Sequence, residues 1–297
     1  MCIRDRLYYA PLPNISGYTG QYKNVGAINN KGLEISLNAD VIRTSKFQWT
    51  SDFNIGFNRN RVTELYGGKP ELKGLKRLEE GRDMDEWYLR EWAGVDPANG
   101  SPLWYTTDGN GKRTTTDSYN KADRVYCGSA APKFTGGWMN SFSYKGFTLT
   151  ANFDFVYGNL LYNQSRELLD SDGAYADYNS MKLKSGWKRW EKEGDIATHP
   201  KAINGGNKNS NKSSSRYLEK GNYFSLRNLS LGYSIPEKLC GKLGLQRVNV
   251  SCSADNLFTL TPFSGVSPQL SDSSTDGYAG TIYPLSRRIV LGLNVSF

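Results

Sequence analysis

The chain has a single histidine, so any chemistry that needs an imidazole base must run through His199. It sits in "THPKAING" (198–205), where Pro200 and Gly205 mark a loop, and no Ser or Cys stands at a spacing that a nucleophile and its base would use. His199 is therefore read as a loop residue rather than a base. Cys2, Cys127, Cys240 and Cys252 show no CxxC spacing and no neighbouring His, which argues against zinc. Cys252 shares the parity of Val248, Val250 and Ala254 and reads as a small hydrophobe on a strand face. "DGNGK" (108–112) has the start of a calcium loop but lacks the downstream acid, and so reads as a tight turn. No catalytic, cofactor-binding or metal set is expected, and the chain is not read as an enzyme.

Two groups remain that could bind rather than react. Asp52, Asn54, Asn152, Asp154, Asn249 and Asp255 alternate with apolar neighbours, and their carboxylates and amides match the donors and acceptors of a hydroxyl-rich solute. The plainer reading is ordinary polar lining. In "YNSMKLKSGWKRWEKEGD" (178–195), Leu183, Trp187 and Trp190 fall at i, i+4 and i+7 among basic residues, which predicts a short amphipathic helix between Tyr178 and Glu193. Its tryptophans would pack on neighbouring loops, or else touch a partner or stack on a sugar ring.

These residues need a scaffold, and the period of the sequence says which. In "GLEISLNADV" (32–41), Leu33, Ile35, Leu37, Ala39 and Val41 alternate with Glu34, Ser36, Asn38 and Asp40, the pattern of a strand with unlike faces. About ten segments carry strand signals: 6–12, 31–43, 47–61, 86–95, 101–108, 134–144, 147–157, 223–235, 247–258 and 287–297. Lys145-Gly146 is placed as a two-residue hairpin loop.

Charged residues make up 22% of the chain, mean hydropathy is −0.59, and no apolar run approaches the roughly 20 residues of a membrane-crossing helix. A β-barrel is compatible with these values, because only every second residue of its wall faces lipid. The net charge of +8 is scattered, with no stripe dense enough for a nucleic-acid footprint.

The connections decide between a soluble sandwich and a membrane barrel. In order they run long, short, long, short, long, short, very long, moderate, long, so the long ones gather at one rim. That is the habit of outer-membrane barrels, whose periplasmic turns are short. The expected fold is an all-β antiparallel transmembrane barrel with long extracellular loops. Leu33, Ile35 and Leu37 then face lipid, and Glu34, Asn38 and Asp40 face a wet lumen. Residues 1–6, "MCIRDR", lack the apolar stretch of a signal peptide and are set aside as a non-native start, leaving 7–297 as barrel.

With strands placed, particular phrases stand out: "NVGAINNKGLEISL" (24–37), "FNIGFNRNRVTEL" (53–65), "WAGVDPANGSPLWY" (92–105), "YLEKGNYFSLRNLSLGYSIP" (217–236), "ADNLFTLTPFSGVSPQL" (254–270) and "YPLSRRIVLGLNVSF" (283–297). In this order they resemble the C-terminal barrel of SusC/RagA-type TonB-dependent transporters of Bacteroidota. The resemblance implies the last ten strands of a 22-stranded barrel, with the plug, N-terminal domain and TonB box elsewhere. It implies TonB-energised import of oligosaccharides or peptides across the outer membrane, under a SusD-like lipoprotein lid. Gly292, Val295 and Phe297 resemble the terminal signal read by the outer-membrane assembly machinery, with Val290 where a polar residue is usual. A self-contained small barrel acting as pore or adhesin, and a secreted soluble β enzyme, are the alternatives.

Overall fold

In the computed structural model, residues 4–11, 14–175, 177–242, 244–270, 277–280 and 283–297 are described; Cys2 lies outside them. Eight strands form one antiparallel sheet: β1 (Arg4–Pro11), β2 (Gly20–Arg43), β3 (Phe47–Glu64), β4 (Phe134–Tyr144), β5 (Phe147–Tyr157), β6 (Tyr223–Ser234), β7 (Arg247–Leu260) and β8 (Arg288–Ser296). Their order in the sheet is their order in the chain, a pure up-and-down meander. Arg4 to Arg6, within the stretch set aside from the sequence, form the start of β1 and pair with Gly26 to Ile28.

The register turns the alternation of each strand into rows that cross the sheet. One row runs Leu37, Phe53, Trp138, Phe153, Leu226, Phe258; another runs Ile42, Trp49, Phe142, Leu149, Leu231, Cys252, Leu291. The whole apolar set thus shares one face, as the two-residue period of a strand demands. Leu226 and Val248 are buried, but much of that face lies open among the described residues. Leu37 is 61% exposed, Leu291 79% and Leu293 69%.

Aromatic residues collect at both margins of this face. Phe47, Tyr144, Phe147 and Tyr233 lie along one edge, with the Phe147 and Tyr233 rings 4.3 Å apart. Phe57, Phe134 and Tyr157 lie along the other, with Phe134 stacked 5.1 Å from Tyr157. At roughly 3.3 Å per residue and a tilt of about 40°, the span from Phe147 to Tyr157 rises about 25 Å, the height of the apolar band of a membrane barrel.

Connections 44–46, 145–146 and 235–246 all fall at one rim, and 12–19 at the other with the three longest, 65–133, 158–222 and 261–287. Lys145 (φ 47°) and Gly146 (φ 86°) make the hairpin loop expected of them, both with the positive φ that a primed turn requires.

Two of the ten expected strands are not in this sheet. Segment 86–95 splits into Glu86–Arg90, paired with Arg124–Ser129, and Trp92–Val95, which pairs with Pro102–Thr107 from the other expected strand. At four to six residues these are shorter than the roughly 9–11 residues a membrane strand needs. Trp87, Leu89 and Trp104 are buried instead of presenting an open apolar face. Both segments therefore belong to the long connection 65–133. Removing an adjacent pair leaves the alternation of long and short connections intact.

The hydrophobic core lies in these connections. Trp87, Leu89, Ala130, Tyr162 and Tyr217 form it, drawn from 65–133 and 158–222, and Tyr278 from 261–287 packs edge-on to Trp87 at 5.1 Å. Trp87 Nε1 donates to the Leu160 carbonyl at 3.0 Å, so one side chain ties two connections together. Replacing Trp87 with Ala should cost this cap of packed connections about 3–5 kcal/mol. Hydrogen exchange should accelerate in 71–129 and 158–222 and stay unchanged in β4 and β5.

Candidate functional site

The polar face of the sheet carries the residues singled out for binding. Asn38, Asp52, Met139, Asn152, Asn228, Asp255 and Arg288 form one row, so Asp52, Asn152 and Asp255 stand at a common level. Four strand spacings of roughly 4.8 Å separate Asp52 from Asp255, about 19 Å, so the row is a belt and not a pocket. Asn54 and Asp154 share the next row with Ser36 and Ser225. Asn249 lies nearer the short-connection rim, between Ser234 and Asn294.

Most of these groups are already engaged. Asn38 donates its amide to Asp52. Asn228 donates to Asp255 at 2.7 Å, and Arg288 adds an ion pair to the same carboxylate at 2.7 Å. The Asn54 carbonyl accepts the Gly137 N–H at 3.0 Å, and Tyr223 donates to Asp154 at 3.1 Å. Asn152 is exposed and makes no side-chain hydrogen bond among the described residues, and the Asn249 carbonyl oxygen is buried without a partner. Asn228 and Arg288 escaped the sequence reading because their role depends on register across hairpins, which one strand's alternation does not reveal.

The second polar assembly sits in connection 158–222. Asp170 and Asp172, both buried, face three arginines. Arg166 donates to Asp170 at 2.8 Å and to Glu219 at 3.0 Å. Arg216 bridges the two aspartates, reaching Asp170 at 3.3 Å and Asp172 at 3.1 Å, and Arg189 reaches Asp172 at 2.7 Å. Glu219 in turn accepts the Ser264 N–H at 2.6 Å, which ties the cluster to connection 261–287.

His199, read from sequence as an isolated loop residue, is 2% exposed, with Nε2 3.1 Å from Asp170 and Nδ1 2.8 Å from the Thr198 hydroxyl. The order Asp, His, Thr has the outline of a catalytic relay. However, the Thr198 oxygen accepts the Lys188 N–H at 2.9 Å and lies 3.1 Å from the Lys188 carbonyl, so it anchors a turn. Asp170 lies 29 residues upstream, a separation that no local pattern marks.

Segment 178–193 is not helical, contrary to the expectation from its apolar spacing. Gly186 has φ 85°, which breaks the helix at its centre, and Trp187 turns toward the acidic cluster instead. Its ring lies 4.9 Å from that of His199 and 4.5 Å from the Arg166 guanidinium. Trp190 is buried, with Nε1 donating to the Pro97 carbonyl at 3.0 Å and its ring over Gly100, where an added Cβ would lie 2.5 Å from it. In "DGNGK" the Asp108 carboxylate accepts the N–H groups of Asn110 and Lys112, both at 2.9 Å. Among the described residues no group of three His, Cys, Asp or Glu is placed to hold a metal.

No family model matches the chain. TonB-dependent receptor P3 of Formosa agariphila is 30% identical over 99% of this chain and 31% of its own length. TonB-dependent receptor SusC of Bacteroides thetaiotaomicron is 23% identical over 99% of the chain and 29% of its own. Among solved structures, the RagAB peptide transporter superposes with TM-score 0.84 at 28% identity, covering 99% of this chain and 32% of the transporter chain. The RagAB peptide importer in its open-open state gives 0.77 at 26%. The chain thus spans about a third of the length of these relatives, which are transport receptors and not enzymes.

Burial by itself would push the Asp170 carboxyl up, but the His199 bond and the Arg216 and Arg166 charges outweigh it and hold its pKa down at about 2. A depressed carboxylate stabilises fully above its unfolded value of about 3.9 and loses that contribution as pH falls through the folded value. Protease protection of 158–222 should therefore persist from neutral pH down to about 4 and fall between pH 4 and 2. Asp170→Asn should cost the cap about 3–5 kcal/mol at neutral pH by stranding buried arginine charge, read by limited proteolysis. With 99% of its length aligned in sequence and in fold, the chain is similar to one part of TonB-dependent receptors, SusC and the RagAB peptide transporter among them.

Proposed function

We propose that the chain is the C-terminal part of the barrel of an outer-membrane, TonB-energised importer of oligosaccharides or peptides. The observation that carries this reading is the apolar face, with Leu37, Leu231, Leu291 and Leu293 exposed on it and two aromatic rows about 25 Å apart at its margins. In water such a face would be covered by a second layer. In a bilayer it is solvated by lipid as it stands, and aromatic rows are favoured where hydrocarbon meets head groups.

The open edge supports the same reading. β1 pairs only with residues 20–28 of β2, and among the described residues the ladder edge of β2 from 29 to 43 has no partner. β1 and β8 do not pair with each other. Hydrocarbon does not tolerate unpaired backbone, so further strands must close the wall, which counts against a self-contained small barrel. Fourteen more strands would complete the 22 implied by the family resemblance.

On this reading the polar face lines the lumen. Asp52, Asn54, Asn152, Asp154, Asn249 and Asp255 form its lining, and Asn152 is the member left free to meet a passing solute. The cap of long connections faces outward, where a SusD-like lipoprotein would sit. Trp187 and Trp190 hold the cap together from within and contribute to lid contact through its shape. Gly292, Val295 and Phe297 would serve assembly, and TonB would act through parts beyond this chain.

Single Cys residues at positions 37, 38, 293 and 294, each carrying a fluorophore, test the facing in the membrane-embedded receptor. Labels at 37 and 293 should be quenched by nitroxide lipid, and labels at 38 and 294 by a water-soluble quencher. Access of the aqueous quencher to all four would overturn the reading. Leu291→Arg, placing a charge in the apolar band, should cost roughly 2–4 kcal/mol and lower the yield of heat-modifiable barrel.

A further inference from the structure

Just beyond the outer aromatic row, on the same face, the chain places cations in an arrangement that the sheet alone does not justify. Lys31 and Arg59 are direct cross-strand partners, and Asn29 opposite Arg61 is the next pair on that face. Like charges placed directly opposite on one face destabilise a ladder unless something neutralises them. Lys133 joins them from β4's entry, its stem lying over Gly158, where an added Cβ would come within 2.5 Å of Lys133 Cγ. Among the described residues Lys31, Arg59, Arg61 and Lys133 make no ion pair. Of the acids that line the adjoining cavity with them, Glu86 pairs with Arg82 at 3.2 Å and Asp83 accepts the Ser129 hydroxyl at 2.9 Å.

Lys31, Arg59 and Lys133 also line one groove of about 530 Å³, and its other walls are Gly32, Leu33, Phe57 and Phe134. The groove is thus apolar on the side of the hydrocarbon band and cationic on the side of the outer rim. A second cavity of about 890 Å³ shares Lys31, Arg59 and Lys133 with it and adds Arg61 together with Arg82, Asp83 and Glu86.

We propose that this groove binds a phosphorylated lipid of the outer leaflet. Phosphate sits among Lys31, Arg59 and Lys133, with Arg61 at the flank, and an acyl chain lies against Leu33, Phe57 and Phe134. The chemistry fits at both ends. Arg offers a planar fork of donors to phosphate and Lys a compact charge, while long basic side chains reach from an apolar surface to the head-group level. Bringing a dianionic group to Lys31 and Arg59 converts a repulsive pair into a bidentate site. A free anion would use the cations but would leave the groove's apolar wall idle, which is why a lipid is the occupant assigned.

This inference rests on the outer-membrane reading above, and its test separates the two. The full-length receptor, purified in mild detergent, is incubated with monophosphoryl lipid A, with the same lipid after enzymatic dephosphorylation, and with inorganic phosphate as competitor. Retained lipid is counted by native mass spectrometry. Wild type should retain the phosphorylated lipid at least fivefold more than the dephosphorylated one, and millimolar phosphate should not displace it. The triple variant K31Q/R59Q/K133Q should lose that preference, while K46Q/K145Q, at the opposite rim, should keep it. Heat-modifiability on a gel checks that each variant is folded, and R59Q alone, expected to lower retention about threefold, serves if the triple variant is not. Equal retention of both lipids, full displacement by phosphate, or an unaltered preference in the folded variants would each overturn the proposal. If the labels at 37 and 293 meet lipid but no phosphate preference is seen, only this inference fails.

Discussion

Everything in this molecule depends on one constraint: an antiparallel ladder joins seven consecutive strands, β2 to β8, while much of the apolar face it creates lies open. Leaving that face in water forgoes about 25 cal/mol for every Å² that burial would have removed from solvent. On the outer-membrane reading proposed above, the solvent that resolves this is hydrocarbon, which in turn forbids irregular backbone and open edges within its depth. Regular strands of β4 and β5 length, a two-residue turn at Lys145-Gly146, and aromatic margins then follow from the same cause.

The inversion explains why the core is where it is. A soluble β protein places its core between sheets, but here much of the sheet's apolar face is left open, so the long connections find stability among themselves. They do so with an aromatic cluster around Trp87 and with the Asp170–Asp172–arginine assembly. The latter is costly to desolvate, and its members are stable only because nearly every charge has an opposite one within hydrogen-bond reach. Such a cluster specifies one arrangement of a 65-residue connection more sharply than apolar packing would, because a displaced arginine leaves a buried carboxylate alone.

How much of this was legible in the sequence follows from the range of each interaction. Alternation is local, so Leu33 to Val41, Phe47 to Phe57 and Phe147 to Phe155 announced their strands and their apolar parity. The turn at Lys145-Gly146 was legible for the same reason. The segments at 86–95 and 101–108 carry strand propensity too, and propensity does not distinguish a wall strand from a short ladder in a loop. What separates them is burial of Trp87 and Trp104, a tertiary fact. The spacing of Leu183, Trp187 and Trp190 matched a helix, yet Gly186 stood in its middle, and contacts to His199 and Pro97 fixed the backbone otherwise. Of the polar row, alternation placed Asp52, Asn152 and Asp255 on one face, but only register put them level and supplied Asn228 and Arg288 as their neighbours.

The uneven lengths of the strands carry a further consequence. β2 and β3 run on together past the outer aromatic row, to the pair Ala27 and Glu64, whereas β4 and β5 stop at Phe134 and Tyr157. Above that level β3 has one edge without a ladder, and the cap reaches it through side chains and single backbone bonds: Asn60 accepts the Met84 N–H, and Val62 exchanges backbone bonds with Gly81 and Arg82. The tall hairpin is therefore the post on which connection 65–133 leans, and that connection holds Trp87 against the other two. The sheet thereby sets the position of the cap, and the step between tall and short strands leaves the notch where cations and apolar surface meet.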